Sequence, residues 1–199
     1  MEKIMRHNLS EINNIIKDRR TIYPEQFSDR KVHKEIITNL LNNAVWAPNH
    51  GMTQPWRFQV FMEDGRKELS DFLYQFYDEH MPKEDYKALK HDRFRDRPLR
   101  SSAVIAVGMK RDPKEKIREI EEIEAVACAI QNIYLTATAY GIGTFWSSPR
   151  MVYYPEIKPF FDLGEKDKML GLLYLGYPEG EWPTGQRKPI DQCTVWRDK

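Results

Sequence analysis

The residue types best suited to chemistry fall in four short segments. Asp18-Arg19-Arg20-Thr21 closes a helix-like stretch, and two guanidiniums beside a hydroxyl match the oxygens of a phosphate or a polyol. The same arginines would equally serve the negative end of a helix as cations. Residues 44–58, AVWAPNHGMTQPWRF, stop a helix at Pro48 and set Asn49, His50, Gln54 and Pro55 between Trp46 and Trp56. The Gln54 amide carries donors and an acceptor, so it can read the edge of a heterocycle or brace a turn. His50 could serve as an acid or base, and it is as able to stack or to support structure. In GTFWSSP (143–149), Gly143 permits close backbone approach, and Trp146, Ser147 and Ser148 follow it. TGQRKP (184–189) adds a second basic pair, Arg187 and Lys188, which suits a phosphate or a solvated surface.

Other chemistries find no support. Neither GxGxxG nor GxxxxGK[ST] occurs, so the dinucleotide-binding fingerprint and the phosphate loop are missing. There is no CxxC or HExxH, and the five histidines are scattered, so no metal site is expected. The net charge is +1, which provides no bulk attraction to nucleic acid or to an anionic membrane. A nucleic-acid module would have to rest on Arg19, Arg20 and the run HDRFRDRPLR alone. No apolar run is long enough to span a bilayer, and MEKIMRHNLSEINN has no hydrophobic signal core. A cytoplasmic protein is expected, and two cysteines, Cys128 and Cys193, agree with a reducing compartment.

The elements that must position these segments are legible from periodicity. Ile12, Ile15 and Ile16 predict a helix over 10–18 behind a Ser10 cap. Val32, Ile36, Leu40 and Leu41 predict a second over 32–45, closed by Pro48. WRFQVFM (56–62) alternates as a strand, and a helix is expected over 67–79. Residues 82–100 are dense in charge and read as a mobile or partly helical excursion. SAVIAVGM (102–109) and KMLGLLYLGYP (168–178) are continuous apolar runs that suit buried strands. Between them, 115–140 is a long helix, acidic at its start and rich in alanine later, with Gly141 placed to end it in a left-handed cap. GTFWSSP begins a further strand, and YPEIKPFFDLG makes a short helix or turn. The fold class is α+β: a three-layer α-β-α sandwich on four to five strands, in one domain over 1–199. The irregular tail at about 180–199 is expected to pack on a partner subunit.

Taken together and in order, RRT, APNHGMTQPWRF, GIGTFW after an Ala-rich helix, LYLGYP and a basic pair before Pro189 resemble the nitroreductase family of flavoproteins. The resemblance runs from about Asn14 to Ile190, and the loop form, the Trp-Ser pair and the short length are similar to a compact, YdjA-like branch. It implies an FMN-dependent oxidoreductase that uses NADH or NADPH, on a mainly antiparallel sheet, as an obligate homodimer with flavin sites at the subunit interface. Carried over, Arg19, Arg20 and Thr21 would hold the ribityl phosphate and chain, and Arg187 or Lys188 would complete the phosphate site. Trp146, Ser147 and Ser148 would lie along the isoalloxazine. Trp46, Asn49, His50 and Gln54 would approach the flavin, some of them from the partner.

The chain departs from the family at two positions. Met52 stands where many members have asparagine, and Trp46 where the compact branch has arginine. The reaction implied is hydride transfer from a nicotinamide to flavin N5, then a ping-pong return to a small acceptor such as a nitroaromatic or a quinone. The cofactor carries that chemistry, so no dedicated catalytic side chain is expected. The alternative is a flavin-binding sensor or regulator with little turnover.

Overall fold

A computed structural model describes residues 7–198. Residues 1–6 of the stretch read for a signal core lie outside the described residues. The helix α1 (Leu9–Asp18) starts one residue before the expected point. Its cap is Asn8, whose Oδ1 accepts the N–H groups of Ser10 and Glu11 at 3.1 and 3.3 Å, rather than Ser10 itself. The helix α2 (Lys34–Ala44) ends before Pro48 as predicted. β1 (Trp56–Phe61) leads into α3 (Asp64–His80).

The charged excursion holds a full helix, α4 (Ala88–Arg100). Its buried side, His91, Phe94 and Pro98, packs over α3. Pro98 sits in the last turn and has no N–H to donate back to the Phe94 carbonyl. β2 (Ala103–Met109), α5 (Glu119–Ala139), β3 (Gly143–Ser147) and β4 (Lys168–Gly176) follow. Gly141 closes α5 with φ +67°, as its sequence position implies. The stretch between β3 and β4 is two short 3-10 turns, at Arg150–Tyr153 and Pro155–Phe161.

The sheet order is β1-β2-β4-β3, with every neighbouring pair antiparallel. β2 and β4 are central and buried on both faces, hence their unbroken apolar runs. One face of β2 and β4 (Ile105, Val107, Leu173, Leu175) packs on α2 and α5 through Leu40, Ala44, Ile130 and Ile133. The other (Val104, Ala106, Leu172, Tyr174) packs on α3, α4 and the 3-10 turns through Leu73, Phe76, Phe94 and Ile157. Buried Ala125, Ala129 and Ala137 keep the approach to α5 close. The start of α5 is tied down by Glu122, which is 1% exposed: it pairs with Arg111 and accepts the Asp112 N–H at 3.0 Å. This is the α+β sandwich that the sequence predicts, with an added helix in the excursion.

Candidate active site

The site is built on β3, an edge strand, and on what packs against its two ends. The segment after α1 lies alongside it: Thr21 bridges Thr144 in parallel, and the Ile22 N–H donates to the Thr144 carbonyl at 3.0 Å. The approach depends on Gly143, because a Cβ there would stand 2.8 Å from the Cβ of Ile22. Tyr134 of α5 closes the junction. Its hydroxyl accepts the Trp146 N–H at 2.7 Å, beside the hydroxyls of Thr144 and Thr21. Burial pushes the Tyr134 pKa up, against the Trp146 hydrogen bond and the Arg19 charge. The Arg19 guanidinium lies 5.3 Å from the Tyr134 ring centre. The Trp146 indole is held flat on β4: its Nε1 donates to the Leu170 carbonyl at 3.0 Å, across Gly171 at φ +135°. Any Cβ on Gly171 would meet the Ser147 carbonyl at 2.5 Å and Trp146 Nε1 at 2.6 Å.

Beside β3, and under α4, lies a cleft of about 290 Å³. Phe145, Trp146, Ser147 and Ser148 form its β3 side, and Lys90, Arg93 and Arg97 its α4 side. The three cations follow i, i+3, i+7 spacing and so share one helix face. That spacing stands in KHDRFRDR and was the available signal, hidden because the stretch reads as a solvated excursion. Tyr134, another residue of the junction, gave no signal beyond being a tyrosine on an Ala-rich helix.

The two predicted arginines part company. Arg19 makes no hydrogen bond through its side chain among the described residues, so its donors are free for a ligand. Arg20 turns back on α1, where Nη1 donates to the Arg19 carbonyl at 2.7 Å and also reaches that of Lys17. Gly185 of the tail lies over it so closely that a Cβ would fall 2.1 Å from the guanidinium carbon. Arg20 therefore takes the helix-end role weighed for it, although its Nε is buried and unpaired. The tail is moored by Trp182, whose Nε1 donates to the Asp18 carbonyl at 2.7 Å. Arg187 and Lys188 follow two and three residues after Gly185, exposed.

The 45–55 loop lies elsewhere. Trp46 is 84% exposed and Met52 is 72% exposed. Gly51, Met52 and Gln54 all have positive φ, a conformation that asparagine helps to hold: Asn49 Oδ1 accepts the Gln54 N–H at 3.0 Å. Val45, Trp46, Pro48, Asn49, Met52 and Gln54 line an open groove of about 700 Å³. His50 pairs with Glu121, at the start of α5, while Trp146 is bonded to Tyr134 near its end. Thirteen residues separate Glu121 from Tyr134, which is about 20 Å of helix. Within one chain, His50 is thus not brought to Trp146, Ser147 and Ser148, whereas the end of α2 that leads into Trp46 meets α5 further along, where Asn43 donates to Thr136 Oγ1 at 3.0 Å.

An aromatic, hydroxyl-edged cleft lined by cations, on an α-β-α sandwich with this strand order, points to a protein of the nitroreductase class. The profile described as "Nitroreductase family" matches residues 16–177, and the chain belongs to that family. It is 31% identical to a nitroreductase-like family protein of Bacillus cereus, whose crystal structure superposes with a TM-score of 0.81 over 98% of this chain and 100% of that one. It is 30% identical over 185 residues to YfhC of Bacillus subtilis (strain 168), provisionally named an NAD(P)H nitroreductase, covering 92% of this chain and 93% of YfhC. A Desulfovibrio desulfuricans protein solved in complex with FMN shares the fold at 21% identity, with a TM-score of 0.72 over 98% of this chain and 99% of that one. Among the described residues no helix is long and apolar enough to cross a membrane, and no group of metal-ligating side chains forms.

Proposed function

We propose that the chain is a homodimeric, FMN-dependent oxidoreductase that draws on NADH or NADPH and reduces a nitroaromatic, a quinone or a similar small acceptor in a ping-pong cycle. The observation that carries this reading is the separation along α5. One chain presents a phosphate-and-ring cleft beside the later turns of the helix and holds His50 of the 45–55 loop at its start. A two-fold partner running the opposite way would set the loop of each copy against the cleft of the other. An apolar groove of Ile12, Ile15, Ile16 and Leu135 between α1, α2 and α5 offers the surface for that contact, and Leu9, Ile12 and Ile16 are exposed beside it. The whole chain, 1–199, then acts as one FMN-binding domain, with its tail at about 180–199 resting on the partner.

The donor set fits FMN. Arg19 has no competing side-chain hydrogen bond among the described residues and, with the exposed Thr21 hydroxyl beside Tyr134, would take the phosphate and ribityl chain, with Arg187 or Lys188 completing the charge. Arg20 supports that corner by holding α1 and the tail together. Trp146, Ser147 and Ser148 would line the ring, and Arg97 joins them from α4. When bound, FMN supplies the two-electron chemistry. The residues of the chain bind it, orient it and keep its surroundings flat and largely dry, and none is assigned as a nucleophile or proton carrier.

The test is direct. The purified chain should carry a flavin absorbance band, and anaerobic NADH or NADPH should bleach it. Varied-substrate kinetics should give parallel double-reciprocal lines. A chain that stays colourless after FMN is added would overturn the proposal, and a flavin that neither nicotinamide reduces would move the protein to the sensor reading.

A further inference from the structure

Arg97 is held from one side only. Its Nε donates to Oε1 of Glu25 at 2.9 Å, and among the described residues this is its sole hydrogen bond, so both terminal amino groups remain unspent. The guanidinium stands 4.9 Å from the centre of Phe145, a wall of the cleft, and its side chain is 15% exposed. Glu25 does not line the cleft; it sits behind Arg97 in the 3-10 turn Pro24–Gln26, four residues past Thr21. That turn is fixed at its start by Gln26, whose Oε1 accepts the Tyr23 N–H at 3.2 Å, and by the Tyr23 ring against Phe145 at 4.8 Å. Glu25 also lies 4.0 Å from Arg93. Two of the three cations on α4, Arg97 and Arg93, are thus answered by one carboxylate, placed to grip the cation with free donors.

We propose that Glu25 is a positioning residue for the flavin cleft: it aims the free amino groups of Arg97 at the ring edge and offsets part of the positive charge there, and so sets how strongly reduced FMN is favoured over oxidised FMN. This rests on the FMN reading above. A cation beside the ring favours the reduced cofactor, which carries an added negative charge, and a carboxylate behind that cation counters it. Glu25 and Arg97 come from segments 72 residues apart, so the coupling also joins the start of the chain to the excursion helix.

The test compares the affinities of oxidised and reduced FMN for the full-length protein. Glu25→Gln keeps an acceptor for Arg97 Nε and removes the charge. It should raise the preference for reduced FMN about fivefold. At about 30 mV per tenfold for a two-electron couple, that is an upward shift of ~20 mV in midpoint potential. In an Arg97→Gln background the same substitution should shift the preference by much less. A preference that stays at the wild-type value in Glu25→Gln, or that rises equally without Arg97, overturns the inference. Should Glu25→Gln fail to fold by circular dichroism, Arg97→Lys carries the test. It keeps the charge but lacks the Nε that Glu25 grips, and oxidised FMN should bind about threefold more weakly; wild-type binding would overturn the inference. Wild-type protein that binds no FMN in either state would instead defeat the FMN reading itself, so the two failures are distinguishable.

Discussion

The Tyr134 hydroxyl accepts the backbone N–H of Trp146 at 2.7 Å, and this one contact pins the edge strand of the cleft to the central helix. Removing the acceptor leaves a part-buried donor unmet. Tyr134→Phe should lower stability by about 1–2 kcal/mol in urea unfolding. It should also weaken FMN binding, because Trp146 loses its anchor, and titration of the variant with FMN checks that.

Gly171→Ala tests the floor beneath Trp146. A side chain there is strained at φ +135° and collides with the Ser147 carbonyl and the indole. The loss should be ~2 kcal/mol. Altered Trp fluorescence and a raised Kd for FMN should accompany it.

Arg19 and Arg20, adjacent in sequence, should behave differently. Arg19→Gln should raise the Kd for FMN about tenfold, since a charge-assisted contact to phosphate is lost, with little change in Tm. Arg20→Gln should act first on stability, by about 1 kcal/mol, through the carbonyls at the end of α1. Thermal melts of the two apoproteins, set beside FMN titrations, separate the roles.

Dimerisation and cofactor binding should fail together. Ile16→Glu places a charge in the apolar groove between α1, α2 and α5. Light scattering should then report a monomer, and the flavin band should be lost. A monomeric variant that keeps FMN would count against a site shared between copies.

Acid should expose the Glu25 contact. Burial raises the Glu25 pKa, but the Arg97 hydrogen bond and the charges of Arg97 and Arg93 outweigh it and bring it below the usual 4.5. A carboxylate held lower in the folded state adds stability above its unfolded pKa, and that contribution is lost as pH falls through the folded value. Melting temperatures between pH 3 and 6 should therefore fall more steeply for wild type than for Glu25→Gln.

Much of this was legible in the residues themselves. The apolar runs at 102–109 and 168–178 marked the two central strands, since only strands buried on both faces lack alternation. The alanines before Gly141 marked the central helix and its end. The order of the arginine, tryptophan and glycine segments marked the family. Tertiary structure decided what each segment touches. It turned Arg20 onto its own helix and left Arg19 free, a choice that local sequence cannot make, because two adjacent arginines at a helix end are equally long and equally charged. It folded a charged excursion into a helix whose burial of His91, Phe94 and Pro98 comes from contacts over α3 that no local pattern reveals. It also set His50, through Glu121, about 20 Å along α5 from the Tyr134 that holds Trp146, since the helix is rigid and its length fixes the distance.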